Sequence, residues 1–126
     1  MDYSQTGSSE LAYLGDAVLE LMVRDRLVRS GETGAGRLNK LSVDYVRATA
    51  QSAALERILP VLDETEKGVC MRARNNSKPS TPKSASAVEY RRATGFEALF
   101  GYLWLEGKSE RMEQLFTVAY GDGSKN

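Results

Sequence analysis

Apolar residues in this chain recur three and four positions apart, and no stretch of useful length alternates apolar with polar. A core can then be buried only by packing helices on helices, so the predicted fold class is all-α. At 126 residues the chain is expected to be a single domain over 1–126, since chains of about this size bury roughly two-thirds of the surface exposed when unfolded. Within it, residues 1–8 read as a short polar lead-in and residues from about 121 to 126 as a flexible tail.

The residues that are missing narrow the chemistry. There is no histidine, which removes serine–histidine and cysteine–histidine nucleophiles and histidine–metal centres together. The single cysteine, Cys70, leaves no internal disulfide and no cysteine-rich zinc site, and it reads as a packed helix side chain. Any catalysis must rest on carboxylates, lysines, hydroxyls or an oxygen-bound hard cation such as Mg²⁺. No run of about 18 apolar residues is present to cross a membrane. The N-terminus lacks a basic region followed by an apolar one, so a cytoplasmic location is expected. With net charge zero, any nucleic-acid binding has to come from local clustering of cations.

Two segments carry carboxylates where a helix is otherwise apolar. In the first, Leu11, Leu14, Val18, Leu21 and Met22 follow helical spacing and Ser9 stands where a capping hydroxyl would sit. At about 100° per residue Asp16 falls at the margin of this apolar arc, directly after Gly15, whose missing side chain invites a close helix crossing. In the second, Tyr90, Ala93, Phe96, Phe100, Leu103 and Trp104 form one broad face with Glu97 near its middle, flanked by the small residues Ala93 and Gly101. An unpaired buried charge is costly, so Glu97 calls for a cation, a basic partner or a metal ion. Two readings stand at this point: an ordinary helix crossing with a solvated aspartate, or a shared acidic site built from Asp16 and Glu97.

Between these segments, residues 30–36 hold three glycines and read as a loop, with no Lys-Ser/Thr following as a phosphate cradle would need. Residues 38–59 predict one long, alanine-rich helix ended or kinked by Pro60. Asp63 and Glu66 have capping-box spacing for the next helix, and Ser86 and Glu89 repeat it for the helix of Glu97. That helix is expected to end near Gly107, with Ser109 capping a last one. Residues 75–85, with two prolines and several hydroxyls, form the clearest break. With Arg72, Arg74, Lys78 and Lys83 and no acidic residue among them, this stretch is either a solvated connection or a phosphate-binding loop.

The stretch from Leu11 through Asp16 to Leu27 resembles the signature helix of ribonuclease III, written ERLEFLGDAVL, and the stretch from Thr94 through Glu97 to Leu105 resembles its closing helix, DTFEALIGAIYL. The resemblance covers roughly residues 9–118 and is closer to the minimal branch, Mini-ribonuclease III, which has the nuclease domain alone. Ala12 before Tyr-Leu-Gly-Asp16, the Arg72-Ala-Arg74-Asn75 run toward Pro82-Lys83, and Tyr90-Arg91 leading into Thr94-Gly-Phe-Glu97 carry that likeness.

The resemblance implies the ribonuclease III helical fold and a symmetric homodimer. It implies Mg²⁺-dependent cleavage of double-stranded RNA to 5′-phosphate and 3′-hydroxyl ends, with Mn²⁺ able to substitute. Asp16 and Glu97 would be the catalytic, metal-binding pair, and Arg72, Arg74, Lys78 and Lys83 the RNA-binding residues. The implied substrate is large-subunit (23S) ribosomal RNA precursor, with a large-subunit ribosomal protein as helper. Full-length ribonuclease III has further acidic ligands where this chain has Ala12 and Thr94, which leaves the number of metals open. The roles of Glu20, one turn after Asp16, and of Asp25 also stay open. The competing reading is a catalytically inactive relative that binds RNA or ribosomes structurally.

Overall fold

The computed structural model describes residues 2–78 and 86–123. Six α-helices follow one another: α1 (Ser8–Arg29), α2 (Ala35–Val46), α3 (Ala48–Ile58), α4 (Glu64–Asn76), α5 (Ala87–Leu105) and α6 (Ser109–Tyr120), with a 3₁₀ turn (Leu59–Val61) before α4. No strand occurs among the described residues, and none of the helices is long and apolar enough to cross a membrane.

The architecture is arranged around α5, against which α1, α3, α4 and α6 all pack. Its composition explains that position. Ala93, Gly95, Phe96, Ala98, Leu99, Phe100, Gly101, Tyr102 and Leu103 are all buried, so the helix is apolar nearly all round, as a central helix must be. Trp104, expected on the core face, is instead 50% exposed, and Leu21 of α1 is likewise solvent-facing, because the surrounding helices cover only part of each arc.

Glycines set the closeness of these crossings. A Cβ on Gly15 would lie 1.6 Å from the Glu97 carbonyl oxygen, and one on Gly101 would lie 2.0 Å from that of Leu11. The α1–α5 crossing is therefore backbone against backbone in both directions, which fixes Asp16 next to the turn that carries Glu97. Gly95 performs the same service for α4, where a Cβ would meet the Cys70 carbonyl oxygen at 2.8 Å. Cys70 itself is fully buried, and that burial pushes its thiol up to about 12, so it acts as a small packed apolar group.

Both expected capping boxes form. Asp63 Oδ1 accepts from the Glu66 N–H while Glu66 Oε1 accepts from the Asp63 N–H, and Ser86 and Glu89 make the same exchange at α5. The other two expected caps do not. The N-cap of α1 is Gly7, not Ser9, and that of α6 is Lys108, with Ser109 already inside the helix; neither makes a side-chain capping bond. The predicted helix over 38–59 is two helices, because Arg47 adopts an extended conformation (φ −62°, ψ 152°) that ends α2 and starts α3 on a new axis. Nothing in the residue types there breaks a helix, and only packing reveals the bend.

The lead-in is tied to the body. The Tyr3 N–H donates to Glu106 Oε2 (2.7 Å), and the Arg72 guanidinium donates to the carbonyls of Ser4 and Thr6. Arg26 and Arg57 hold the far end of α6 through the carbonyls of Ala119, Tyr120 and Gly121. Residues 121–123 thus lie against Arg26. The rest of the expected tail, 124–126, lies outside the described residues.

Candidate active site

Where α1 crosses α5, a cleft of about 770 Å³ opens between their flanks, the start of α3 and the end of α4. Asp16 comes from the third turn of α1, one residue past the Gly15 contact, and is exposed; Glu97, at mid-helix in α5, is half-buried. The same cleft is lined by Ala12, Gln51, Ser77, Lys78 and Thr94. Roomier hollows exist, such as one of about 960 Å³ along α6, but its Glu110 and Glu113 are ordinary solvated side chains.

The two carboxylates are electrostatically coupled. Burial, followed by hydrogen bonding to and charge repulsion from Asp16, raises the Glu97 carboxyl to about 8, with the neighbouring Gln51 amide pulling the other way. An acid in that condition near neutral pH keeps its proton, or exchanges it for a cation that satisfies both carboxylates at once. Among the described residues no cluster of three or more acidic, histidine or cysteine side chains could hold a metal. Ala12 and Thr94 explain why: both line the cleft, and neither carries a carboxylate. The Thr94 hydroxyl instead donates to the Tyr90 carbonyl and shares a hydrogen bond of 3.1 Å with Ser77, stitching the end of α4 to α5.

The basic residues separate. Lys78 is exposed at the cleft edge. Arg74, in the last turn of α4, donates to Asn75 Oδ1. Arg72 donates to the lead-in carbonyls of Ser4 and Thr6 and is not among the residues that line the cleft. Lys83 lies outside the described residues. Of the two acidic side chains with open roles, Glu20 pairs with Arg24 and Asp25 with Arg29, each one turn along α1, which makes them solvated helix-face pairs. The sequence reading missed Gln51. It is 1% exposed on α3 and sits beside Glu97; its only sequence signal, a lone glutamine in an alanine-rich helix, is weak.

An all-α fold with a central apolar helix, crossed by a second helix at reciprocal glycines so that two carboxylates share one cleft, defines a class. Residues 9–108 match the family described as the ribonuclease III domain, and the chain belongs to the ribonuclease III family. Within it the chain falls among the Mini-ribonuclease 3 proteins. It is 46% identical over 109 residues to the Mini-ribonuclease 3 of Symbiobacterium thermophilum, covering 86% of this chain and 84% of that one. It is 48% identical over 110 residues to that of Desulfitobacterium hafniense, covering 87% and 69%. A crystal structure of a Fusobacterium nucleatum protein superposes with a TM-score of 0.84 at 34% identity, covering 92% of this chain and 94% of that one.

Proposed function

We propose that this chain is an Mg²⁺-dependent endoribonuclease that cuts double-stranded RNA, leaving 5′-phosphate and 3′-hydroxyl ends. The observation that carries the reading is the coupled pair Asp16 and Glu97 facing one cleft of a ribonuclease III domain that has no histidine. The donor set fits a hard divalent cation: two carboxylates whose mutual repulsion a cation relieves, with no soft ligand among the described residues that line the cleft. Asp16 and Glu97 would hold it, and Mn²⁺ would serve in its place. Bound there, the ion supplies an activated water and charge stabilisation at the phosphoryl oxygens.

The remaining work falls to the chain itself. The backbone of Glu97 is held by the α1–α5 crossing, which keeps its turn of α5 beside Asp16. Lys78 stands at the edge, where an ammonium would meet the phosphates of an RNA duplex, and Arg74, in the last turn of α4, would add a second cation. Such local cations give RNA affinity to a chain with no net charge. Water attack on phosphorus with departure of the 3′ oxygen gives the stated ends. The natural substrate is the structured precursor of large-subunit (23S) ribosomal RNA, cut by a homodimer whose two clefts face opposite strands, with a large-subunit ribosomal protein as helper.

The test is cleavage of a long double-stranded RNA by the native chain and by Glu97→Gln, each in Mg²⁺ and in EDTA. Cutting is expected only from the native chain with metal. A folded native dimer that cuts neither this RNA nor a ribosomal precursor offered with the ribosomal protein would leave the inert RNA-binding module as the better reading.

A further inference from the structure

Among the described residues, two buried side-chain polar atoms have no hydrogen-bond partner: Ser8 Oγ and Gln51 Nε2. Ser8 is a half-exposed residue at the start of α1 and does not line the cleft. Gln51 differs. Its side chain is 1% exposed, and a buried amide donor left unmade costs about 1–3 kcal/mol. It reaches this position through the extended residue Arg47, which starts α3 anew and brings its first turn, with Ala48 and Gln51, against the cleft.

At that depth Gln51 cannot touch a duplex, so its partner has to belong to the site itself. The neighbour able to accept from it is Glu97, which lines the same cleft. A carboxylate oxygen is an acceptor that an amide N–H can satisfy. We infer that Gln51 is a positioning residue: when a divalent cation is held at Asp16 and Glu97, the Gln51 amide N–H donates to the Glu97 carboxylate and fixes the direction it faces. The inference rests on the carboxylate–metal reading of the cleft. It also explains why a donor is kept buried there, since in the metal-bound state it is no longer unpaired. Outer partners of this kind change metal affinity or activity by about 10–100-fold when removed.

The experiment compares the native chain, Gln51→Met and Glu97→Gln by three readouts: Mn²⁺ affinity by calorimetry without RNA, RNA affinity in EDTA, and single-turnover cleavage in Mg²⁺. Gln51→Met keeps the volume and removes the donor, so its thermal midpoint is expected to hold or rise. Mn²⁺ affinity and the cleavage rate should each fall about 10-fold or more, with RNA affinity unchanged. Native-level Mn²⁺ affinity and cleavage in Gln51→Met overturn the inference while leaving the nuclease reading intact. A native chain that binds no Mn²⁺ and does not cut overturns both. Should Gln51→Met fail to fold, the assigned Gln51 side-chain amide resonances of the native protein decide: a shift on adding Mg²⁺ supports the bond, and none overturns it.

Discussion

Two glutamates in this chain lose water to the fold, and they meet opposite surroundings. Glu66, 2% exposed, accepts from Arg111 Nη2 (2.7 Å) and Nε (2.8 Å) and from the Asp63 N–H (2.9 Å). Burial alone would push its carboxyl up, but the guanidinium and the capping N–H outweigh it and hold it below the usual range. Glu97 faces a second carboxylate and a donor that makes no proper bond, and it is raised to about 8. A buried charge that the protein has already answered is architecture. One left unanswered is where the proposed cation would act.

The sharpest way to break this contrast is through the backbone that holds Glu97. Gly15→Ala puts a Cβ onto the Glu97 carbonyl, so α1 must move off α5 at a cost of about 3 kcal/mol or more. Chemical denaturation should report that loss, and cleavage at low temperature, where the protein stays folded, should fall with it. Native-level stability in that variant would mean the crossing is looser than the geometry requires.

Next in size is the answered glutamate. Arg111→Ala leaves Glu66 buried without its cation and should destabilise by about 2–3 kcal/mol. This is under the usual cost of breaking a buried pair, because Arg111 is 26% exposed and water can reach the gap. Cleavage per folded molecule should not change. Lost activity at full folding would move Glu66 from architecture to site.

The smallest and most diagnostic effect is in pH. Glu97 is raised when folded, so its contribution to stability is complete below its unfolded value of 4.5 and is lost as pH rises through about 8. Glu66 is lowered, so its contribution is present above 4.5 and is lost as pH falls through its folded value. Thermal midpoints in EDTA between pH 5 and pH 9 should therefore decline for the native chain and stay flatter for Glu97→Gln. Adding Mn²⁺ at the alkaline end should restore the native chain only. Parallel profiles for the two proteins would show that Glu97 is not held protonated.

Much of this was readable in one dimension because it depends on local physics. Helical periodicity, the capping boxes at Asp63 and Ser86, the need for close approach at Gly15 and the anomaly of a carboxylate within an aromatic stripe are all set by residues a few positions apart. The residues left a solvated aspartate and a shared Asp16–Glu97 site both open, the family likeness favoured the second, and the fold brings those side chains into one cleft. The bend at Arg47 was hidden, since no Gly or Pro marks it and the chain turns there because α2 and α3 pack on different neighbours.

Arg72 shows the same limit from the other side: the sequence shows its charge, and only the fold shows that the carbonyls of Ser4 and Thr6 accept from it. Which carboxylate is answered and which is not depends on partners far along the chain, Arg111 for Glu66 at a separation of 45 residues, Asp16 and Gln51 for Glu97. The sequence by itself determined the helices, the core stripes and the types of group available for chemistry, because those follow from backbone propensity and burial of apolar faces. Only the tertiary structure decided which charges meet, because desolvation and Coulomb forces act through space and take no account of distance along the chain.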